Sequence, residues 1–247
     1  MRIALISDIH GNNVALDAVL ADIGKQEVDS VICLGDVATL GPQPAETFQG
    51  LKELDCACIR GNHDSSLLQP EKALDYKISE PLLPSLEWCL AKLDTSDFEF
   101  VRTFQPTLRI PLGGTDEMLC FHGSPKSNID NIFSETPFDE VSGFLSGSDA
   151  RVMAGGHTHI QMLRQHNGMM IVNPGSVGNA FLAPHNSQKQ PTLMPWAEYA
   201  IVNRLDGQIT VEFKRIYYDI EFLFQAIQKS DIPLKDWLLT QFKWPPN

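Results

Sequence analysis

The sequence predicts an α/β fold in which a parallel sheet is followed along the chain by a second sheet built from hairpins. Short apolar runs such as Ile3–Ile6 and Val31–Leu34 end directly in clusters of polar residues, which is typical of strands buried on both faces of a sheet. The early runs alternate with helical patterns, and strand–helix–strand units give parallel sheets. In the last third, Asn-Gly and Asp-Gly pairs between apolar segments indicate hairpins.

The first half of the chain contains two predicted helices between its strands. Residues 13–23 carry an apolar stripe at helical spacing, with Asn12 or Asn13 as the N-cap and Gly24 as the stop signal. Residues 44–54 form the second predicted helix. Four more apolar runs predict buried strands: 56–59, 118–121, 152–154 and 169–172.

The middle of the chain is predicted to be a mainly helical insertion at about 65–105. No glycine occurs from residue 62 to residue 112, and apolar residues recur at helical spacing between Leu82 and Leu93. Two interpretations stay open for this stretch. It either completes the core or forms a cap beside a functional site.

The last third is predicted to add hairpins and a helical tail. Asn167-Gly168 and Asp206-Gly207 mark the two hairpin turns, and we expect both hairpins in a second sheet that packs on the first. Residues 183–196 form a predicted loop. Two helices, 219–229 capped by Asp219 and 233–242, are expected in a tail at about 219–247. We expect residues 1–247 to form a single domain.

Composition excludes several classes of protein. The 247 residues include 31 Asp and Glu against 19 Lys and Arg, which gives a net charge of −12 and disfavours loose electrostatic binding to nucleic acid or anionic lipid. No apolar run approaches the roughly 18 residues that a membrane span needs. The five cysteines are expected to be reduced, and we expect a cytoplasmic location. The sequence predicts no oligomeric state.

Eight chemically active residues follow the predicted strands, where parallel topology brings strand ends to one edge of the sheet. Buried carboxylates and imidazoles placed so close together are costly unless they are paired or bind metal. The pairs 8/10 and 157/159 are expected to point the same way from extended segments. The eight residues are Asp8, His10, Asp36, Asn62, His63, His122, His157 and His159.

This donor set contains carboxylate, imidazole and amide groups but no thiolate. Such a set suits Mn, Fe, Zn, Ni or Co and disfavours a structural cysteine–zinc site. It offers more ligands than one ion needs, so we expect two divalent metal ions, with Mn favoured in vitro. Two dications would also supply the positive charge that an anionic phosphate needs inside an acidic protein.

The eight residues fall in five motifs: Asp8-Ile9-His10, Gly35-Asp36, Gly61-Asn62-His63-Asp64, His122-Gly123 and Gly156-His157-Thr158-His159. In their order and spacing these motifs resemble the five motifs of the calcineurin-like metallophosphoesterases, and the chain resembles a longer form of the small bacterial and archaeal phosphodiesterase-like branch. The resemblance implies a four-layer α/β/β/α sandwich of two mixed sheets flanked by helices.

The resemblance assigns a role to each position. It implies that the first metal is held by Asp8, His10 and His159. The second metal is implied to be held by Asn62, His122 and His157. Asp36 would bridge both ions, and the catalytic His63 would lie over the substrate phosphate without binding metal.

Accessory residues keep alternative interpretations. Asp64 either orients a ligand imidazole or caps the following turn. Asn12 is expected to be a helix cap rather than a phosphate contact, and Arg60 and Lys126 are expected to be solvated rather than to contact substrate. Residues 173–178 are expected to form a turn that supports the 157/159 loop. Two further histidines are expected not to be catalytic: His166 and His185.

The resemblance implies a dinuclear-metal-dependent phosphoesterase. It would hydrolyse phosphodiester or phosphomonoester bonds of a small phosphorylated substrate by attack of a metal-bound hydroxide. A protein phosphatase or a nucleotide-specific hydrolase on the same site stays open as an alternative. A non-catalytic metal-binding scaffold is a third hypothesis, and the presence of His63 with every ligand position argues against it.

Overall fold

The structure is a computed structural model that describes residues 1–184 and 191–242. The strands are β1 Arg2–Ile6, β2 Ser30–Cys33, β3 Ala57–Cys58, β4 Leu108–Gly113, β5 Asp116–Cys120, β6 Val152–Ala154, β7 Gln161–His166, β8 Met169–Pro174, β9 Trp196–Leu205 and β10 Gln208–Tyr217. The α-helices are α1 Asn13–Ile23, α2 Pro44–Leu54, α3 Asn62–Leu68, α4 Leu83–Lys92, α5 Thr95–Thr103, α6 Phe138–Leu145, α7 Ile220–Lys229 and α8 Lys235–Gln241.

Within these residues the strands form two mixed sheets of five strands each. The first has the order β10-β9-β1-β2-β3, and the second has the order β4-β5-β6-β8-β7. In the first sheet β1, β2 and β3 run parallel, and in the second β5, β6 and β8 run parallel. The outer strands pair antiparallel to these central ones.

Alternation of side chains along the central strands builds the layers. Ile3 and Leu5 of β1 pack against Met118 of β5 and Val152 of β6, between the two sheets. The residues between them in β1 face the other way, toward α1 and α2. The far side of the second sheet is covered by α6, whose Val141 is buried there. These contacts confirm the α/β/β/α sandwich.

The predicted helix boundaries agree closely with the structure. Asn12 caps α1, since its side-chain oxygen accepts a hydrogen bond from the Ala15 N–H at 3.1 Å. Asp219 caps α7 by accepting from the Glu221 N–H at 3.0 Å. The second helix matches 44–54. The end of the predicted tail, 243–247, lies outside the described residues.

The second hairpin lies in a different sheet from the predicted one. The turn at Asn167 and Gly168 joins β7 to β8 as expected, with φ values of 49° and 77° that fit a two-residue hairpin turn. The Asp206-Gly207 hairpin joins β9 to β10, but β9 pairs with β1 and so extends the first sheet. A turn motif determines which two strands pair with each other. It carries no information about the third strand that they join.

The stretch between 65 and 105 contains α4, α5 and most of α3, with two short 3₁₀ turns at Pro70–Lys72 and Glu80–Leu82. Leu86, Cys89 and Val101 are buried in the core on the helical side of the first sheet. These apolar residues therefore complete the core. Neither β4, which contains Pro111, nor α6, which contains a central glycine, was predicted from the sequence.

Within the described part of the chain, no helix is both long and apolar enough to cross a membrane.

The close approach of the backbone at Gly61 to the Asp36 loop provides a test of the fold. A Cβ on this residue would lie 2.0 Å from Asp36 Oδ1 and 2.7 Å from the Asp36 nitrogen. We expect Gly61→Ala to lower the free energy of unfolding by about 1–3 kcal/mol through overpacking, as measured by chemical denaturation.

Gly143, in the middle of α6, is the matched control because a Cβ there meets nothing within 4 Å. Gly143→Ala should raise stability by about 0.5–1 kcal/mol, since alanine loses less backbone entropy in a helix. Equal effects of the two substitutions would contradict the close approach at Gly61.

Candidate metal centre

The eight predicted site residues converge at one edge of the sandwich. Each follows the carboxyl end of a parallel strand, from β1, β2 and β3 in the first sheet and from β5 and β6 in the second. The stacked sheets thus direct five loops toward a common centre, which explains how His10 and His159, 149 positions apart in the chain, come into contact. All eight are brought together as expected.

A first group of metal-ligating atoms is formed by Asp8, His10 and His159, which offer atoms within 4.8 Å of one another. The Nε2 atoms of His10 and His159 are 3.1 Å apart. His159 Nε2 lies 3.4 Å from Asp8 Oδ1. This is the set that the family resemblance implies for the first ion.

A second group contains Asp36, His122 and His157, again within 4.8 Å of one another. The amide of Asn62 joins it, because Asn62 Oδ1 lies 3.2 Å from His122 Nε2. Asn62 is oriented by donating its Nδ2–H to the Tyr76 carbonyl at 2.9 Å, which leaves the amide oxygen directed at the centre.

Asp36 lies between the two groups. Its Oδ2 is 3.2 Å from His122 Nε2 and 3.9 Å from His10 Nε2. A single carboxylate therefore reaches an imidazole of each group. This is the placement that a bridging ligand requires.

In each carboxylate one oxygen accepts a backbone hydrogen bond and the other faces the imidazoles. Asp8 Oδ2 accepts from the His157 N–H at 3.0 Å, and Asp36 Oδ1 accepts from the His63 N–H at 2.9 Å. Asp8 Oδ1 is buried and has no hydrogen-bond partner. A buried carboxylate oxygen without a partner is costly, and its position facing imidazole nitrogens suits the binding of a cation.

Three of the imidazoles are held in one tautomer by backbone carbonyls. Nδ1 of His10 lies 3.2 Å from the carbonyl oxygen of Thr39, and Nδ1 of His122 lies 2.7 Å from that of Leu34. Nδ1 of His159 lies 2.8 Å from the carbonyl oxygen of Asn179. A carbonyl only accepts, so each Nδ1 carries the proton and each Nε2 presents a lone pair to the centre.

The electrostatics of the centre follow from burial and from the two carboxylates. Burial raises the pKa of Asp8 and lowers the pKa of His157 to about 3. At His122 burial also disfavours the charged ring, but the nearby Asp36 carboxylate outweighs it and raises the pKa of His122 to about 10. Because Nδ1 donates to the Leu34 carbonyl, the titrating proton is the one on Nε2, which the ring would have to lose before that atom could bind a metal ion.

The backbone at the centre differs from the expected extended form. Five of the predicted ligands, Asp8, His10, Asp36, His157 and His159, have φ between 49° and 69°. They are five of the eleven non-glycine residues with positive φ in the described ranges. Left-handed backbone costs about 1–3 kcal/mol per residue and clusters at functional sites. The ligand pairs point together because the loops coil tightly, which a spacing of two residues does not reveal.

The accessory residues have mainly structural roles. Asp64 accepts hydrogen bonds from the N–H groups of Asp36, Val37 and Gly61 at 2.8–3.0 Å. It therefore caps α3 and fixes the Asp36 loop, and the other interpretation, an imidazole partner, is wrong.

Of the two basic residues expected to be solvated, Lys126 is exposed and Arg60 is half-buried, and both also bond to the protein. Arg60 donates to the Arg102 and Phe104 carbonyls, and Lys126 donates to the Gly143 carbonyl. None of these hydrogen bonds is to a residue of the candidate metal centre.

The loop after β8 supports the centre as expected. Asn173 donates to the Gly156 carbonyl at 2.7 Å and to Thr158 Oγ1 at 3.0 Å, and Ser176 Oγ donates to the Asp8 carbonyl. His166 lies at the end of β7, where its Nε2 is 3.0 Å from Ser142 Oγ, away from the ligand cluster. His185 lies outside the described residues.

Thr39 is a site residue that the sequence analysis missed. Its hydroxyl lies 2.7 Å from His63 Nδ1, and its carbonyl anchors His10. Unlike a carbonyl, a hydroxyl can donate to Nδ1 or accept from it, so His63 can gain or lose a proton without losing this partner. The only indication of Thr39 in the sequence is its position three residues after Asp36, in a loop without hydrophobic periodicity. His63 has an exposed fraction of 9%, and burial lowers its pKa to about 4.

Fold and site together define an α/β/β/α protein with a cluster of oxygen and nitrogen atoms that could hold metal, at the carboxyl ends of its parallel strands. The chain belongs to the calcineurin-like phosphoesterase superfamily, since the model of the "Calcineurin-like phosphoesterase superfamily domain" matches residues 1–194. Members of this family are metallophosphoesterases, generally hydrolases, and bind divalent metals.

The relatives extend the likeness beyond residue 194. An uncharacterized protein from Methanocaldococcus jannaschii is 29% identical over 241 residues, which cover 96% of this chain and 95% of that protein. The crystal structure of a metallophosphoesterase from Sphaerobacter thermophilus is similar with 26% identity and a TM-score of 0.74, covering 98% of both chains. A hypothetical protein from Pyrococcus horikoshii shares the fold, with 21% identity, a TM-score of 0.81 and 98% coverage of both chains.

Chelation tests the centre through stability. We expect protein treated with a chelator to melt at a lower temperature, and added Mn²⁺ to restore it by binding only the folded state. At a free concentration 100 times Kd, binding at one site stabilises by about 2.7 kcal/mol, or about 5–10 °C for a chain of this size. Differential scanning calorimetry measures the shift.

Asp8→Asn is the matched variant, because it replaces the carboxylate whose oxygen lacks a partner. Mn²⁺ should raise its melting temperature by less than it raises that of the unmodified protein. A melting temperature that responds neither to chelator nor to Mn²⁺ would argue against a tight metal centre.

Proposed function

We propose that the protein is a dinuclear metal-dependent phosphoesterase that hydrolyses phosphodiesters or phosphomonoesters of small molecules. The observation that carries the proposal is the position of Asp36, whose Oδ2 faces one imidazole from each of two ligand groups. One such carboxylate between two sets of donors is the arrangement of two-ion phosphoesterase chemistry.

The residues divide between two ions as follows. The orphaned Asp8 oxygen and the facing Nε2 atoms of His10 and His159 would hold one ion. His122, His157 and the Asn62 oxygen would hold the other, with Asp36 shared. Mn²⁺ is the ion to test first, and Fe, Zn, Ni and Co suit the same donors. When bound, these ions would supply Lewis-acid charge to the phosphoryl oxygens and lower the pKa of the attacking water.

His63 is the residue that we assign to proton transfer. Its ring centroid lies 5.0 Å from that of His10, so it borders the first ligand group. With Nδ1 paired to the Thr39 hydroxyl, its Nε2 is the atom available to substrate. In this role His63 holds a proton at Nε2 and gives it to the leaving oxygen, or stabilises charge on the phosphoryl group.

The contrast between imidazoles supports this division of roles. His10, His122 and His159 have carbonyl partners that fix a lone pair toward the centre, as metal ligands need. His63 has a hydroxyl partner that tolerates either protonation state, as a proton donor needs.

The charge of the chain favours a small substrate over a nucleic acid. A net charge of −12 repels a polyanion, and the ions would supply positive charge only within the centre. We propose a small phosphorylated molecule as substrate. A protein phosphatase and a nucleotide-specific hydrolase are competing functions on the same centre.

A screen tests the proposed function. Protein reconstituted with Mn²⁺ is assayed against phosphomonoesters, phosphodiesters, nucleotides and a phosphopeptide, with Asp36→Asn as the inactive control. We expect turnover of a small ester that needs metal and is lost in the control. Metal binding without hydrolysis of any member of the panel would favour the scaffold hypothesis.

Substitution of His63 tests its catalytic role. We expect His63→Asn to keep both ions and the fold, and to lower kcat by about 10²–10⁴, the usual contribution of a positioned proton donor. The loss should be larger for an alkyl phosphodiester than for a nitrophenyl ester, because nitrophenolate leaves without a proton. Steady-state kinetics and metal analysis on the same samples measure both effects.

Equal losses for the two esters would contradict proton donation and assign His63 to charge stabilisation. A variant with lower thermal stability but unchanged turnover per folded molecule would remove His63 from the mechanism.

Thr39 offers a finer test of the same imidazole. Thr39→Val removes the hydroxyl but keeps the carbonyl that holds His10, so metal content should not change. Loss of one hydrogen bond at a buried ring is expected to lower kcat about 3–10-fold. Thr39→Ser keeps the hydroxyl and should restore most of the rate. If Ser and Val variants lose the same factor, the hydroxyl has no part in positioning His63.

A further inference from the structure

Three of the five cysteines form a cluster in the first sheet, apart from the ligand set. We call Cys33, Cys56 and Cys58 the thiol cluster. Cys33 of β2 and Cys58 of β3 are paired in register on neighbouring parallel strands. Cys56 lies two residues before Cys58, and their Sγ atoms are 3.9 Å apart. Cys58 thus lies between two other thiols.

The members of the cluster differ in exposure and in acidity. Cys33 is fully buried and Cys58 nearly so, whereas Cys56 is partly exposed. The hydrogen bond from Cys58 lowers the pKa of the Cys56 thiol. Contacts with Cys33 and Cys56, together with burial, raise the pKa of Cys58 well above its ordinary value. The accessible thiol is therefore also the one with more thiolate character, which determines reactivity.

We propose that Cys56 and Cys58 form a site of reversible thiol oxidation by hydrogen peroxide. The Cys56 thiolate attacks a peroxide oxygen, the O–O bond breaks, and a sulfenic acid forms on Cys56 as hydroxide leaves. The Cys58 sulfur then attacks the Cys56 sulfur, the S–O bond breaks, and water leaves. The two thiols together lose two electrons, and the peroxide is reduced to water.

The local backbone makes the resulting disulfide labile. In an extended segment the Cα atoms of residues i and i+2 are separated by about 6.6–6.8 Å, which is the upper end of the Cα–Cα range for disulfides. The 3.9 Å separation of the sulfurs must also shorten to about 2.05 Å, so the segment has to contract. Asp55, with φ of 51°, turns the chain directly before Cys56 and leaves that end outside the sheet. Strained disulfides of this kind are the readily reduced, regulatory ones.

The site lies at a sensitive point of the fold. β3 contains two residues, and the chain beyond it runs within four residues to Asn62. The Ile59 N–H donates to the Cys33 carbonyl at 2.8 Å, which ties the same strand to the thiol cluster. A contraction at Cys56–Cys58 therefore acts on the segment that leads to the ligand loop.

The two remaining cysteines provide internal controls. Cys89 and Cys120 are fully buried, and burial raises the pKa of Cys120 to about 12 and that of Cys89 still further. Both should resist peroxide in the folded protein.

Peroxide treatment of the reduced full-length protein, followed by alkylation and peptide mass spectrometry, tests the proposal. We expect the peptide with Cys56 and Cys58 to lose about 2 Da and to escape alkylation, and dithiothreitol to reverse both effects. Cys58→Ser should instead trap a sulfenic acid on Cys56 that reacts with dimedone. Cys56→Ser should leave Cys58 reduced, and Cys120→Ser should behave as the unmodified protein.

Three results would overturn the proposal. These are oxidation of Cys89 or Cys120 as fast as Cys56, a disulfide between two chains on a non-reducing gel, or progression of Cys56 to sulfinic acid while Cys58 is present. Since Cys58 is buried, thermal melting checks that Cys58→Ser folds. Cys58→Ala replaces it if it does not, with the same dimedone adduct expected.

Discussion

The buried carboxylate of Asp36 connects the two halves of the molecule. Its Oδ1 accepts from the His63 N–H at the start of α3, which follows the first sheet, and its Oδ2 faces His122, which follows a strand of the second sheet. Asp64 in turn holds the Asp36 N–H, so the loop has little freedom to move. The same contacts that join the sheets at this edge therefore also place a negative charge between two sets of imidazoles. A cation is the natural partner for that charge.

Holding such a centre has a cost that the core must offset. Five predicted ligands adopt left-handed backbone, and Asp8 keeps a buried oxygen without a partner. The apolar layer between the sheets, with Ile3 and Leu5 against Met118, is continuous beneath the loops and does not depend on the ligands. The packed sandwich thus stabilises the fold, and the strained loops at one edge destabilise it, as is usual for a scaffold and its site.

Much of this could be predicted from the sequence, because the signals were local. Apolar runs that end in Asp, His or Asn placed all the ligands at strand ends, and Asn12 and Asp219 marked helix starts through their capping chemistry. The features that could not be predicted depend on contacts between residues far apart in the sequence. The Asp206-Gly207 turn predicted its hairpin correctly but not the sheet that β9 would join. The role of Thr39 depends on the fold that brings His63 to its hydroxyl, and no spacing in the sequence expresses that contact.

The most direct test of the account is a count of bound ions. Metal analysis of protein reconstituted with Mn²⁺ should give two ions per chain, and Asp36→Asn should lose both together, because an amide cannot share negative charge between two cations. Asp149→Asn, which removes an exposed carboxylate far from the centre, should retain two. A folded Asp36→Asn protein that still holds two ions, or an unmodified protein that holds only one, would contradict the bridging role and with it the dinuclear centre.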